Sequence, residues 1–253
     1  MLVMTRPHKQ NGTNVPYRYN PDFIHHQEGR AISNIGQVVF GLQDGMVSTL
    51  GAITGIAIGS QELYIVLLAG VAIISVESIS MGIGSYVSSR SEKKIADRMH
   101  EEELVEIQKY PEEERKELEM FFVRDGWPRE LANKMAYTAS ENPDLIFNEM
   151  LYRELGITIS NVENPVRNGV FMFLSYILGG IIPLSVYFFL PVSTAIYVSV
   201  VATLLGLFIV GSSLTHYTKQ PWFKNGMHML VFGGIALIVG LSVGVIMRIV
   251  FSV

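Results

Sequence analysis

The sequence of 253 residues contains no cysteine, and this absence excludes disulfide bonds, thiolate metal sites and thiol-based catalysis. It also lacks an H-E-x-x-H zinc helix, a G-x-S-x-G nucleophile elbow and a phosphate-binding P-loop. The nearest approach to a ferritin-type E-x-x-H pair is Asp97 with His100, which occurs once and has Asp in place of Glu. The sequence therefore predicts a protein that is not an enzyme.

Charge is scarce in two long parts of the chain and abundant between them. Residues 35–88 and 167–251 are apolar, whereas 90–163 carries most of the charged side chains. Hydrophobic residues make up 49% of the sequence, and the formal net charge is -4. This division indicates an integral, multi-pass membrane protein with a soluble insert, in contact with lipid and without a nucleic-acid partner. Residues 1–30 lack an apolar segment, which predicts a polar tail rather than a cleaved signal peptide.

Five apolar segments are each long enough to cross the ~30 Å hydrocarbon layer of a bilayer as a helix. They lie at 35–60, 63–87, 168–189, 193–214 and 226–250. In the first segment, Gly51, Gly55 and Gly59 are spaced four apart, a pattern that lets two helices approach closely in lipid. The predicted fold class is all-α: a five-span transmembrane helical protein with a helical insert between spans two and three.

The same pattern predicts the domain organisation. It comprises a polar N-terminal tail (1–33), spans one and two (34–89), an acidic helical insert that we call the acidic module (90–163), and spans three to five (166–253). Most of the 19 Lys and Arg residues lie in the tail and around the module, and the turns at 60–62 and 190–191 have none. The positive-inside rule therefore predicts that the tail and the module are cytosolic. The expected location is the cell membrane of a prokaryote or a vacuole-type membrane of a eukaryote.

Two carboxylates lie inside apolar segments. Asp44 follows the start of span one by about nine residues, roughly 14 Å at 1.5 Å per residue, and Glu77 lies at a similar depth in span two. Because the two spans are antiparallel neighbours, their acids can meet. A carboxylate at the centre of a membrane helix costs about 2.5–3.5 kcal/mol on insertion scales, so such a residue indicates an ion path. Met81 lies one helical turn beyond Glu77.

The acidic module offers pairs of oxygen or sulfur ligands on three predicted helices. The first helix continues from span two without a break until Tyr110-Pro111. The pairs, each three or four residues apart and hence on one helical face, are Glu103 with Glu106, Glu114 with Glu117, and Met150 with Glu154. Carboxylates suit Fe²⁺, Mn²⁺ and Mg²⁺, and a thioether favours softer ions. From composition alone, a solvated and salt-bridged helix surface is the alternative interpretation.

Two membrane motifs complete the pattern. They are F-G-L-Q-D-G-M-V-S-T-L-G in span one and S-I-S-M-G-I-G-S-Y-V-S-S-R-S-E in span two. Together with the glutamate-rich insert and the five-span layout, they resemble the vacuolar iron transporter family, in the form of its prokaryotic-type members. The resemblance covers nearly the whole chain from about residue 35 onward.

The resemblance implies a homodimer that exchanges Fe²⁺ or Mn²⁺ for protons along a path at the dimer interface. Asp44 and Met81 would carry the translocation site, and Glu77 would provide proton coupling. The module's ligands would be Glu103, Glu106, Glu114, Glu117, Met150 and Glu154. No permanently bound cofactor is expected, since the metal is the transported substrate.

Two positions depart from the plant-type pattern of that family. Ile73 stands where an intramembrane glutamate is expected, and Ser33 stands where an acidic residue is expected in the tail. Proton coupling is therefore the part of the resemblance that these residues support least. The expected function is export of Fe²⁺, with Mn²⁺ as a second candidate, from the cytosol. The alternatives are a membrane-anchored metal buffer or sensor and a passive divalent cation channel.

Overall fold

A computed structural model of the protein describes residues 29–154, 164–215 and 220–251. The regular structure in these residues is helical: α1 Gly29–Ser60, α2 Leu63–Lys109, α3 Pro111–Arg124, α4 Arg129–Ser140, α5 Pro143–Arg153, α6 Pro165–Ser185, α7 Val192–Ser213 and α8 Trp222–Phe251. A short 3₁₀ turn, Val186–Phe188, follows α6. The all-α prediction is confirmed. Most of the predicted tail, residues 1–28, lies outside the described residues, and α1 begins at Gly29 rather than at residue 35.

Helix α2 is a single rod of 47 residues, about 70 Å long at 1.5 Å per residue. This is more than twice the ~30 Å hydrocarbon layer, so the C-terminal part of α2 lies outside any membrane that its apolar part crosses. The helix ends at Tyr110 because Pro111, the next residue, has no amide hydrogen to donate to a helical carbonyl. The prediction of one continuous helix up to Tyr110-Pro111 is confirmed.

Helix α1 packs against α2, α6, α7 and α8. Its glycines allow contact of backbone with backbone: a Cβ atom added to Gly45 would collide with the carbonyl oxygen of Tyr176 in α6, and one added to Gly240 in α8 would collide with that of Gly51. A Cβ atom on Gly55 would lie 2.8 Å from the carbonyl oxygen of Gly240. The close helix contact predicted from the glycine spacing is therefore present, and the partner helix is α8.

Four helices are long and apolar enough to cross a membrane, as judged by length and composition within the described residues. They are Leu63–Lys109, Pro165–Phe188, Val192–Ser213 and Trp222–Val250. Helix α1 has the necessary length, with 32 residues, but Gln43, Asp44 and several Ser, Thr and Gly residues reduce its mean hydropathy. Its lower hydropathy is consistent with its burial among the other helices, where part of its surface does not face lipid.

The acidic module has its own apolar core, formed by one face each of α3, α4 and α5. The buried residues of this core are Leu118, Phe122, Ala132, Ala136, Ala139, Ile146 and Met150. The amides of Asp144 and Leu145 donate hydrogen bonds to the Asn142 side chain at the start of α5. At its other end, Arg153 pairs with Glu149 and with Asp125 in the turn between α3 and α4. These contacts fix both ends of α5 and thereby position Glu154, which follows it.

Candidate functional site

Asp44 and Glu77 lie on two helices that meet inside the apolar part of the molecule. Asp44 is half-buried at the contact of α1 with α6, and the two carboxylates are close enough to interact electrostatically. Glu77 is exposed on the surface of the single chain. The structure thus brings together the two acids that the sequence placed at similar depth. Met81, one turn further along α2, is half-buried, as is Ile73 on the other side of Glu77.

A chain of hydroxyl groups connects the turn of α1 that carries Asp44 with α6. The Ser48 hydroxyl donates a hydrogen bond of 2.6 Å to the backbone carbonyl of Asp44. The oxygens of Ser48 and Tyr176 are also 2.6 Å apart. Because a serine hydroxyl has one hydrogen, which it gives to Asp44, the Tyr176 hydroxyl is the donor to Ser48. Tyr176 is fully buried, and its phenol interacts electrostatically with both Asp44 and Glu77.

The sequence analysis missed Tyr176 and Ser48. Ser48 lies one helical turn after Asp44, and that spacing is the local signal for a serine that bonds back to the carbonyl of the fourth preceding residue. Tyr176 carries no such signal, because it lies 128 residues away from Ser48 in an otherwise ordinary apolar segment. Only the contact of α1 with α6 identifies it.

A second group of acids lies at the far end of α2, some 60 Å along the helix from Leu63. Helix α2 contributes Glu103 and Glu106, α3 contributes Glu114 and Glu117, and Glu154 follows the end of α5. The five carboxylates interact electrostatically with one another. The structure therefore brings the predicted module acids into one cluster, which we call the module cluster. Met150, the predicted thioether ligand, is fully buried in the module's apolar core one turn before Glu154.

Burial and mutual repulsion change the protonation of this cluster. Burial, together with the charges of Glu154 and Glu114, raises the pKa of Glu103 to about 8. Burial and the nearby carboxylates, first of all Glu117, raise the pKa of Glu114 to about 7. The pKa of Glu117 is raised by burial and by the charges of Glu154 and Glu106. The metal-free cluster therefore retains protons near neutral pH.

The module cluster also differs from the other acids of the module in its partners. Six acidic residues of the module form ion pairs with Arg or Lys: Glu102, Glu112, Glu119, Asp125, Glu130 and Glu149. None of the five cluster carboxylates has a Lys, Arg or His nitrogen within 4.0 Å among the described residues. The solvated and salt-bridged surface that composition favours thus describes the first set of acids but not the second.

Two oxygens of the module cluster are buried without a hydrogen-bond partner among the residues that the structure describes. They are Oε1 of Glu103 and Oε2 of Glu114, on side chains that are 2% and 6% exposed. A buried carboxylate oxygen without a donor is destabilising unless a proton or a cation satisfies it. The described residues nevertheless contain no group of three Asp, Glu or His side chains already arranged to hold a metal ion.

His100 is a second polar residue of the module that has an unpaired buried atom. Its Nε2 has no hydrogen-bond partner, and its ring centroid lies 4.6 Å from that of Phe147 in α5. The single Asp97-His100 pair found in the sequence thus places the imidazole against an aromatic ring. This contact does not form a ferritin-type centre among the described residues.

The apolar helices, the acid pair within them and the carboxylate cluster outside them define a class: a helical membrane protein with grouped acidic side chains. Comparison with known proteins makes the assignment more specific. The family model described as the VIT family matches residues 35–245. The chain belongs to the VIT family.

Named relatives align over most of their own length. "Vacuolar iron transporter 1" of Eucalyptus grandis is 28% identical over 80% of this chain and 82% of its own. The "Vacuolar iron transporter" of Plasmodium falciparum is 27% identical over 90% of this chain and 89% of its own. The protein of the same name from Toxoplasma gondii is 28% identical over 98% of this chain and 80% of its own. These names designate transporters rather than enzymes, and the family resemblance predicted from the sequence is confirmed.

Proposed function

We propose that the protein transports a divalent metal, Fe²⁺ and as a second substrate Mn²⁺, out of the cytosol in exchange for protons. The observation that carries the proposal is the module cluster, whose five carboxylates have no cationic partner among the described residues, whereas other acids of the module do. A cluster of this kind attracts a divalent cation. Membership of a family with named vacuolar iron transporters supports iron as the substrate.

In this proposal the acidic module captures the metal and raises its concentration near the membrane. Glu103, Glu106, Glu114, Glu117 and Glu154 provide oxygen ligands, and carboxylates bind Fe²⁺ and Mn²⁺ as well as Mg²⁺. The buried and unpaired oxygens of Glu103 and Glu114 fit this role, because a cation would satisfy them. The Met150 thioether would join the ligands by a change of rotamer and would favour the softer transition metals over Mg²⁺.

The second part of the path lies between α1 and α2. Asp44 and Met81 bind the metal in transit, and Glu77 exchanges a proton. A divalent ion near Asp44 and Glu77 would compensate the two negative charges that interact there, so metal entry favours proton release. Ile73 and Ser33 supply no acid for a longer proton path, which leaves Glu77 as the coupling group.

The proposal includes a homodimer and five membrane spans. Helix α1 is the fifth span, shielded by α2, α6, α7 and α8. Glu77 is exposed on the protomer within the apolar part of α2, where a carboxylate facing lipid is unfavourable. A second copy that covers this surface would place two Asp44–Glu77 pairs along one path. The distribution of Lys and Arg supports a cytosolic module.

The test is Fe²⁺ transport by proteoliposomes under a proton gradient, with a pH-sensitive dye inside. The native chain should move Fe²⁺ in one direction and protons in the other, and Asp44→Asn should do neither. Glu62→Gln is the matched control, because this exposed acid lies in the turn between α1 and α2. It should transport as the native chain does.

Two results would replace the proposal with an alternative. If the native chain binds Fe²⁺ without moving it across the membrane, the protein is a membrane-anchored buffer or sensor. If Fe²⁺ crosses without proton movement, and Glu77→Gln transports as well as the native chain, the protein is a passive channel. Replacing Fe²⁺ by Mn²⁺ in the same assay determines whether the second substrate is carried.

A further inference from the structure

An apolar groove lies between α2 and α6, away from the candidate ion path. Its volume is about 390 Å³, and its lining residues are Ile79, Gly82, Ile83, Tyr86, Val166, Gly169, Val170 and Phe173. At 100° per residue, Glu77 points about 160° away from Ile79 around α2. The groove therefore opens on the side of α2 opposite to the candidate coupling residue.

Two glycines form the floor of the groove. A Cβ atom on Gly169 would lie 2.8 Å from the carbonyl oxygen of Gly82, and one on Gly82 would lie 3.1 Å from that of Gly169. The helix backbones therefore approach closely where the glycines meet, and the side chains of Phe173 and Tyr86 lie beside them. The flanking Ile83 and Val170 are exposed on the protomer surface. The apolar groove therefore runs along the outer surface of the α2–α6 pair.

Beyond the groove, where the apolar part of α2 ends, the same face of the helix carries basic side chains. Arg90 and Lys93 lie on the same face of α2 as Ile79, within about 20° and 40° of it. Arg90 is some 40 Å along the helix from Leu63, which is the level of the headgroups for a bilayer with a ~30 Å hydrocarbon layer. The Arg90 guanidinium lies 5.8 Å from the centroid of the Tyr86 ring, at the end of the groove.

Within the described part of the chain, these cations have no acidic partner. Arg90, Lys93 and Arg167, the last on the adjoining turn of α6, form no ion pair with any described residue. Arg167 lies over the Phe171 ring, with its guanidinium carbon 5.3 Å from the ring centroid. Unpaired cations at the headgroup level, directly beyond an apolar groove, complement a molecule with an anionic head and an apolar chain.

We propose that this groove binds an anionic phospholipid. One acyl chain lies over Gly82 and Gly169, and the phosphate lies beside Arg90 and Lys93. The lipid would brace α2 against α6 at the point where α2 leaves the membrane and continues into the acidic module. The proposal does not depend on which metal is transported or on proton coupling.

The test is native mass spectrometry of the full chain in detergent, titrated with dioleoyl phosphatidylglycerol or dioleoyl phosphatidylcholine. The native chain should retain phosphatidylglycerol in preference to phosphatidylcholine. Each of Arg90→Gln and Lys93→Gln should weaken phosphatidylglycerol binding about 5-fold, the factor expected for one cation at a membrane surface. Lys224→Gln is the matched control, because Lys224 is also an exposed cation but lies on α8, which does not form the groove.

A second variant tests the apolar part of the site. Val170→Trp fills the groove at an exposed position and leaves all cations in place, so it should weaken both lipids. The proposal is overturned if the double variant Arg90→Gln/Lys93→Gln keeps the native preference for phosphatidylglycerol, or if Lys224→Gln loses it equally. It is also overturned if Val170→Trp binds phosphatidylglycerol as the native chain does.

Discussion

The carboxyl group of Glu103 shows how tertiary burial changes the protonation of one residue. In the sequence it is one of many glutamates on a long helix, and its spacing from Glu106 indicates only a shared face. In the folded protein it is 2% exposed, and Glu154 and Glu114 act on it electrostatically. Its burial depends on α3 and α5, which no local pattern around residue 103 reveals.

Glu103 leads to a prediction for pH dependence. Its folded pKa of about 8 lies above its ordinary value of 4.5, so between these values the folded state holds a proton that the unfolded state has lost. The stability of the metal-free protein should therefore fall as pH rises from about 5 to above 8. Melting temperatures in metal-free buffer would show this fall, and Glu103→Gln should reduce it.

The control for this prediction is Glu101→Gln, which changes an exposed glutamate two residues away on the same helix. It should leave the slope of melting temperature against pH unchanged. Equal slopes for the native chain and Glu103→Gln would contradict the raised pKa. Whereas the stability falls as pH rises, the affinity of the module cluster for metal should increase with pH up to about 8. The reason is that metal and proton compete for the Glu103 carboxylate, which loses its proton over this range.

Tyr176 is the second residue whose role only the structure reveals, because its hydroxyl hydrogen-bonds to Ser48. Through Ser48 it fixes the turn of α1 that carries Asp44. We expect Tyr176→Phe to raise the KM for transported metal about 2- to 12-fold, the range for loss of one hydrogen bond, with a smaller effect on the maximal rate. Transport assays in proteoliposomes would measure both parameters.

Tyr187→Phe is the matched control for this change. Tyr187 is also fully buried, but its hydroxyl has no hydrogen-bond partner, so removing it should leave the KM unchanged. Because Ser48 and Tyr176 act in one chain, Ser48→Ala and Tyr176→Phe should be non-additive when combined. A rise in KM that is equal in the two tyrosine variants would show that general packing, rather than this hydrogen bond, is responsible.

At the scale of elements, the contact of α1 with α8 depends on the absence of side chains. Gly51 and Gly55 of α1 face Gly240 and Gly244 of α8 so closely that an added Cβ atom would meet backbone carbonyl oxygens. The sequence indicated the stripe on α1 but not its partner, because α6, α7 and α8 all contain glycines that could have met it. The choice of α8 is decided by how the whole bundle packs.

The close contact of α1 with α8 predicts that adding a single methyl group at a glycine of this contact destabilises the protein. Gly240→Ala should push α8 away from α1 and destabilise the protein by about 1–3 kcal/mol, the usual cost of overpacking. Gly234→Ala is the control on the same helix, because its Cβ atom would meet nothing within 4 Å. Thermal unfolding in detergent should show a lower melting temperature for the first variant only. Equal melting temperatures would contradict the close contact.

At the scale of the whole molecule, α2 joins the apolar bundle to the acidic module as one continuous helix. The absence of cysteine makes its orientation straightforward to measure, because a single introduced thiol is the only reactive one. With a cytosolic module, Asn133→Cys in α4 should react with an impermeant reagent from the cytosolic side. Glu62→Cys, in the turn before α2, should react from the opposite side. Both residues are exposed.

Labelling of both positions from one side would contradict the five-span arrangement, because residues 62 and 133 would then lie on the same face of the membrane. If residue 62 reacts from the cytosolic side and residue 133 from the opposite side, the five spans remain but the module is not cytosolic. The proposed direction of transport would then be inverted. Either result would decide the topology independently of the metal binding that we propose for the module cluster.

The sequence by itself determined the helices, their apolar segments, the continuous α2 and the acids on which the family resemblance depends. These features follow from short-range physics: hydropathy over about 20 residues, proline at helix starts and the spacing of side chains on one face. The tertiary structure alone decided which carboxylates have no Lys or Arg partner among the described residues and which glycines contact each other. It also decided that the Tyr176 hydroxyl donates a hydrogen bond to Ser48. Burial and charge compensation depend on helices far apart in the chain, and no local pattern encodes which of them come into contact.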